Sequence, residues 1–197
     1  MLIFDKENIL PDSSVLEEFI ANHPFYNDLV NKLDTVSIKR PSFSEGVHIH
    51  TEGSKITLFI YPFQSVDDQN RYILYHEFGH VADRLNPCFK YSEDARQVLS
   101  DRQRENFVEL WNLYIDARLN RLNIYCHSPG KFRRKVNGQY REVERTQETQ
   151  LLERVDFLSK RDFNNAPLIV RDIWNHPEKK YTFIDLVNIV KVNMQNP

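Results

Sequence analysis

Arg71-Tyr72-Ile73-Leu74-Tyr75-His76-Glu77-Phe78-Gly79-His80-Val81-Ala82-Asp83 is the stretch from which this chain is best read. It contains one His-Glu-x-x-His pattern. No Pro falls between Gln64 and Asn86, and Ile73, Leu74, Val81 and Ala82 supply apolar positions around the motif, so the stretch reads as a helix. Residues four apart stack on one helix face, which lets His76 and His80 aim two imidazoles at one metal ion. Glu77 is offset by one residue and can reach a metal-activated water without being forced to coordinate. That is the geometry of a zinc hydrolase. Gly79 costs about 1 kcal/mol against Ala inside a helix, which predicts a local reason such as close backbone approach.

The chain has 197 residues, enough for one domain or a core with an extension. Apolar residues make up 41%, and with 13 Phe and 9 Tyr they can build a real core. A net charge of -2 gives no global attraction to nucleic acid or membrane. No apolar run approaches the roughly 18 residues a membrane span needs. Met1-Leu2-Ile3-Phe4-Asp5-Lys6-Glu7 meets acids at once and lacks the basic and apolar regions of a signal peptide. The expected location is therefore cytoplasmic, with Cys88 and Cys126 as free thiols in a reducing compartment.

Working outward from the motif, residues 13 to 34 read as one or two short helices, with Ser13 or Ser14 as cap and Pro24 as a break. Val36 to Ile38 is a short strand. Gly46 to Thr51 alternates at period two, Glu52-Gly53-Ser54 turns the chain, and Lys55 to Tyr61 is rich in β-formers. The hairpin runs into the motif helix. Ser92 to Leu99 reads as a short helix, and Ser100 or Asp101 caps a long one to about Leu122. The segment 127–145 carries a basic cluster and Asn137-Gly138, a hairpin turn signal. Thr146 to Lys160 is helical with Leu151, Leu152, Val155 and Leu158 inward, and a last helix spans Phe183 to Val192. The expected fold class is α+β. A core over 1–126 carrying the motif would be followed by a basic hairpin and helical extension over 127–197.

Catalytic zinc takes three protein ligands and leaves one position for water, so a third must come from elsewhere. On the long helix Glu109, Asn112, Asp116, Asn120 and Asn123 fall within about 40° of one line on a 100° wheel. Arg104, Arg118 and Arg121 avoid that line. A stripe of short polar groups without long cations suits a face directed at a metal and the groups that orient its ligands. Asp116, at the centre of the stripe, is the first candidate and Glu109 the runner-up. They are about 10.5 Å apart along the axis and cannot both bind one ion. Glu93, Glu105 and His127 are further alternatives. Asp83, three residues after His80, can accept the free ring N–H of that histidine or can be a surface acid at the helix end. Asn112 and Asn120 flank Asp116 as supporting groups.

The chain resembles the zincin metallopeptidases at His76, Glu77 and His80. The resemblance implies a substrate-binding sheet ahead of the active-site helix and a second helix bringing the third ligand. Trp111-Asn112-Leu113-Tyr114-Ile115-Asp116-Ala117-Arg118-Leu119-Asn120 is similar to the Asn-x-x-x-Asp-x-x-hydrophobic-Asn segment of bacterial metallopeptidases associated with VWA domains, in which the aspartate is the proposed ligand. Glu109 is followed four residues later by Leu113, so the Glu-x-x-x-Asp pattern of the thermolysin-like group is not met. A third His at metzincin spacing is also missing.

The expectation is a Zn²⁺-dependent peptidase acting on a peptide or protein substrate, with the strand Ile56 to Tyr61 pairing with an extended chain. The alternative is a non-catalytic protein of the same fold that retains a zinc site. The intact Glu77 argues against it. His48 and His50 share one strand face and are read as a solvated edge. His127, Tyr125, Tyr140 and His176 are each conceivable oxyanion donors. The hairpin 131–145, with six Lys or Arg and two Glu, is read as a solvated element.

Overall fold

The computed structural model describes residues 1–42, 47–125, 131–136 and 139–194, with backbone alone for 131–136 and Tyr140. Gly46, Cys126, His127, Pro129-Gly130 and the Asn137-Gly138 turn lie outside the described residues. The protein is mixed α+β with a small mixed sheet of four strands. Its contacts divide it into two units, Met1–Tyr91 and Ser92–Pro197. The long helix belongs to the second unit, with the C-terminal helices.

The first unit runs β1 (Leu2–Phe4), α1 (Ser13–Ala21), α2 (Leu29–Lys32), β2 (Thr35–Lys39), β3 (His48–Glu52), β4 (Lys55–Phe59) and α3 (Asp68–Leu85). The strand order is β1-β2-β4-β3, with β1, β2 and β4 parallel and β3 antiparallel to β4. Period-two alternation buries Val36 and Ile38 on β2 and Ile56 and Leu58 on β4. The register sets Val36 beside Ile56 and Ile38 beside Leu58, so the apolar residues form rows. Leu16, Phe19 and Ile20 of α1 and Leu74, Phe78, Val81 and Ala82 of α3 complete this core. The α3 residues are spaced i, i+4, i+7, i+8, the stripe of a one-sided helix. β1 is too short to leave a sequence signal.

Two local expectations are corrected here. The cap of α1 is Asp12, whose carboxylate accepts from the Ser14 N–H at 3.0 Å. That bond holds its carboxyl below the usual range. An acid reaches the orphan donors of the first turn at least as well as a serine. The second correction concerns substrate pairing. β4 has both edges filled, by β2 and β3, so it cannot accept an extended peptide; β3 lies at the sheet edge.

Gly53 closes the β3–β4 hairpin at φ +59° with nothing within 4 Å of where a Cβ would stand. Gly53→Ala should therefore cost only the backbone term, roughly 1 kcal/mol, in a chemical unfolding experiment. Gly53→Asn should cost less.

The second unit comprises α4 (Glu93–Gln97), α5 (Asp101–Arg121), the hairpin β5 (Lys131–Val136) and β6 (Gln139–Glu144), α6 (Gln147–Ser159), α7 (Ala166–Asn175), a 3₁₀ turn at Pro177–Lys179 and α8 (Phe183–Asn193). α5 starts with a full capping box between Ser100 and Gln103. Contacts with α6, α7 and α8 surround it. Phe107 and Phe183 pack with ring centroids 4.8 Å apart, and Trp111 joins them. On α6 only Leu158 is fully buried, while Leu151, Leu152 and Val155 are half-buried. α7 went unanticipated, although Pro167 near its start is a helix-entry signal. Among the described residues no helix is long and apolar enough to cross a membrane.

Candidate metal centre

α3 begins at Asp67, whose carboxylate accepts from the Asn70 N–H at 2.7 Å. Eighteen residues of helix follow without a break, so the motif lies in regular geometry. With the Leu74–Phe78–Val81–Ala82 stripe turned to the sheet, His76 and His80 fall on the opposite flank at about 100° per residue. Both are half-buried, as is Glu77. The two imidazole centroids are 5.3 Å apart. Rings bound at a tetrahedral angle through nitrogens 2.0–2.1 Å from zinc would have centroids about 5 Å apart. The donor chemistry and the spacing therefore fit a zinc ion at two of its positions. Tyr72, one turn before His76, packs edge-on to it at 5.7 Å.

Gly79 is buried. Asp83 is 1% exposed, which removes its reading as a surface acid at the helix end. A buried carboxylate three residues after His80 is the type of group that orients a ligating imidazole.

The third-ligand candidates lie on α5 and around it, in the second unit. Asp116 is fully buried and accepts from Arg154 Nη2. The same guanidinium donates through Nη1 to Glu109 Oε1 at 2.8 Å and to the Glu109 carbonyl at 3.4 Å. One arginine from α6 thus spans two carboxylates seven residues apart. The α5 stripe carries no cation of its own, and the sequence of one helix cannot show a cation supplied by another. Arg154 was not singled out in the sequence. The signal was present only as an arginine in an otherwise apolar-leaning turn, Leu151-Leu152-Glu153-Arg154-Val155.

The remaining candidates have local roles. Asn120 accepts from Gln147 Nε2 at 3.2 Å, and Asn112 is half-buried. Glu93 is the exposed first residue of α4 and pairs with Arg96 at 3.5 Å, a helix-start acid. Glu105 pairs with Arg161 at 2.7 Å. His176 Nδ1 lies 3.1 Å from Glu178, and the Tyr125 hydroxyl donates to Gln150. His48 stacks on Phe59 at 4.4 Å, and His50 is exposed on the same edge strand.

In the hairpin, Lys131 is paired in register with Glu144 and Arg133 with Glu142. Among the described residues no three or more His, Cys, Asp or Glu side chains form a group able to hold a metal ion. No protein-family model, no curated protein and no solved structure matches this chain.

Proposed function

We propose that the protein is a zinc-dependent peptidase in which His76 and His80 hold the metal and Glu77 moves the proton. The observation that carries this reading is the pair of imidazoles on successive turns of α3, 5.3 Å apart, with a carboxylate beside them. Bound zinc supplies a Lewis acid that makes a water more acidic, toward a pKa of about 7, and polarises a carbonyl. Glu77 takes the proton of the attacking water and later delivers it to the leaving amine. β3, at the sheet edge and packed against α3, is the strand whose open side can pair with an extended peptide. A carboxylate completes the ligand set. Asp116 is the first candidate for it and Glu109 the second, and Arg154 engages both.

The purified protein should carry about one zinc per chain by elemental analysis. His76→Ala and His80→Ala should each strip it. Wild-type protein that stays metal-free after incubation with Zn²⁺ sinks the reading. The second reading, a zinc-holding protein without peptidase activity, is favoured by one feature. Both carboxylates expected as third ligand already serve an ion pair.

A further inference from the structure

The carboxyl ends of the parallel strands β1 and β2, with the turn that follows β1, form a cavity of about 390 Å³ lined by Phe4, Lys6, Glu7, Ser37, Ile38 and Lys39. The turn is fixed from within. The Asp5 carboxylate accepts from the Ile9 N–H at 3.0 Å and from the Leu10 N–H at 2.8 Å, and both residues are buried. Lys6 and Glu7 lie in the loop that these bonds close. On β2, Ser37 and Lys39 alternate with the buried Val36 and Ile38, so they share the sheet face turned from the core. The register places Phe4 beside Ser37, and Phe4 is 45% exposed.

The charges of the cavity do not balance. Glu7, the acid that lines it, is engaged by Arg40 at 3.4 Å. Among the described residues neither Lys6 nor Lys39 has a carboxylate partner. Two ammonium groups at one cavity repel each other, and an anion held between them turns that repulsion into attraction.

We propose that this cavity binds a small aromatic phosphate monoester of about mononucleotide size, its phosphate between Lys6 and Lys39 and its ring on Phe4. A lysine ammonium is a compact point charge and binds phosphate as such. A phosphate monoester carries about −1.5 to −2 near neutral pH, which two lysines balance; one carboxylate would leave a lysine uncompensated. The Ser37 hydroxyl supplies a neutral donor for a phosphate oxygen. Phe4 offers the exposed aromatic surface on which a flat ring stacks. The volume is at the small end of the roughly 300–1,000 Å³ typical of ligand sites, which suits one nucleotide rather than two. The site needs no metal and is independent of the zinc reading.

The test is calorimetric titration of the purified full chain at pH 7.5 and low salt with four probes: adenosine monophosphate, phenyl phosphate, adenosine and inorganic phosphate. At least one of the two organic phosphates should bind with a Kd on the order of 0.01–0.1 mM. Adenosine and inorganic phosphate, each holding half of the chemistry, should bind at least tenfold more weakly. Adenosine monophosphate ahead of phenyl phosphate marks a nucleotide as the occupant, and the reverse order a phosphorylated ring without a sugar. No binding of either organic phosphate overturns the proposal. So does adenosine or inorganic phosphate binding equally well.

Lys6→Met and Lys39→Met should each weaken binding about three- to tenfold. Phe4→Ala should weaken the organic phosphate and leave inorganic phosphate unchanged. Lys55→Met, exposed on the same sheet face but outside the cavity, should change nothing. Equal losses in all three lysine variants would show a general charge effect and overturn the site. Amide ¹H–¹⁵N shifts of wild type titrated with adenosine monophosphate give a reading that needs no variant. They should gather at Phe4, Lys6, Ser37 and Lys39, and shifts centred elsewhere overturn the proposal.

Discussion

Glu77→Gln should keep its zinc and lose peptidase turnover by about 10²–10⁴-fold or more. Gln preserves size and one hydrogen-bond acceptor, so the half-buried position on α3 stays filled. What disappears is the ability to take a proton near neutral pH. A residue acting only through packing or through metal affinity would leave turnover nearly unchanged. The measurement is zinc content and kcat on one preparation, against unfolded proteins or a peptide library. A variant that retains full activity removes Glu77 from the role of base. Wild type that binds zinc yet cleaves nothing in the library shifts the balance to the non-catalytic reading.

Arg154→Met should lower the free energy of unfolding by about 3 kcal/mol, the low end of the range for breaking a buried ion pair. The low end applies because the Arg154 side chain is 18% exposed and that of Glu109 is 20% exposed, so water screens part of the interaction. Asp116 has no such relief, since its side chain is fully buried. Removing the arginine withdraws its cationic partner. Asp116→Asn in the Arg154→Met background should recover part of the loss, since it removes the buried charge. Urea unfolding at neutral pH reads both. A change below about 0.5 kcal/mol in Arg154→Met would mean the pair contributes little, as exposed pairs do.

The same clamp changes how a test of the third ligand must be read. Asp116→Ala lowers stability through the lost ion pair whether or not the residue binds metal. A fall in thermal stability therefore cannot identify a ligand, and zinc affinity of the folded variant must be measured directly. Loss of zinc in Asp116→Ala, with binding kept in Arg154→Met, assigns the ligand to Asp116. Loss in Glu109→Ala alone assigns it to Glu109. Zinc binding unchanged in all three makes the cluster a structural joint between α5 and α6.

Elements whose cause is local were readable from the chain alone. The motif helix follows from unbroken helix formers and a 3.6-residue apolar stripe. The β3–β4 hairpin follows from alternation around Gly53. The α5 start was legible to within one residue, Ser100 or Asp101, and the cap is Ser100; the closeness of His76 and His80 follows from four-residue spacing. Each depends on residues within a turn or two of one another, so no distant partner can overrule it.

What needed the tertiary structure was every assignment that depends on a partner far along the chain. That β4 is central and β3 an edge depends on β2 joining β4 in parallel, which no short window contains. The burial of Asp83 could not be read from its place near a helix end. The polar stripe of Glu109 and Asp116 looked empty of cations on a single-helix wheel. Folding brings Arg154 to it from a helix 38 residues later than Asp116. Charge compensation acts through space, whereas a helical wheel records only one element. For the same reason the imidazole of His23 meets the backbone of α3 at Tyr75, 52 residues away.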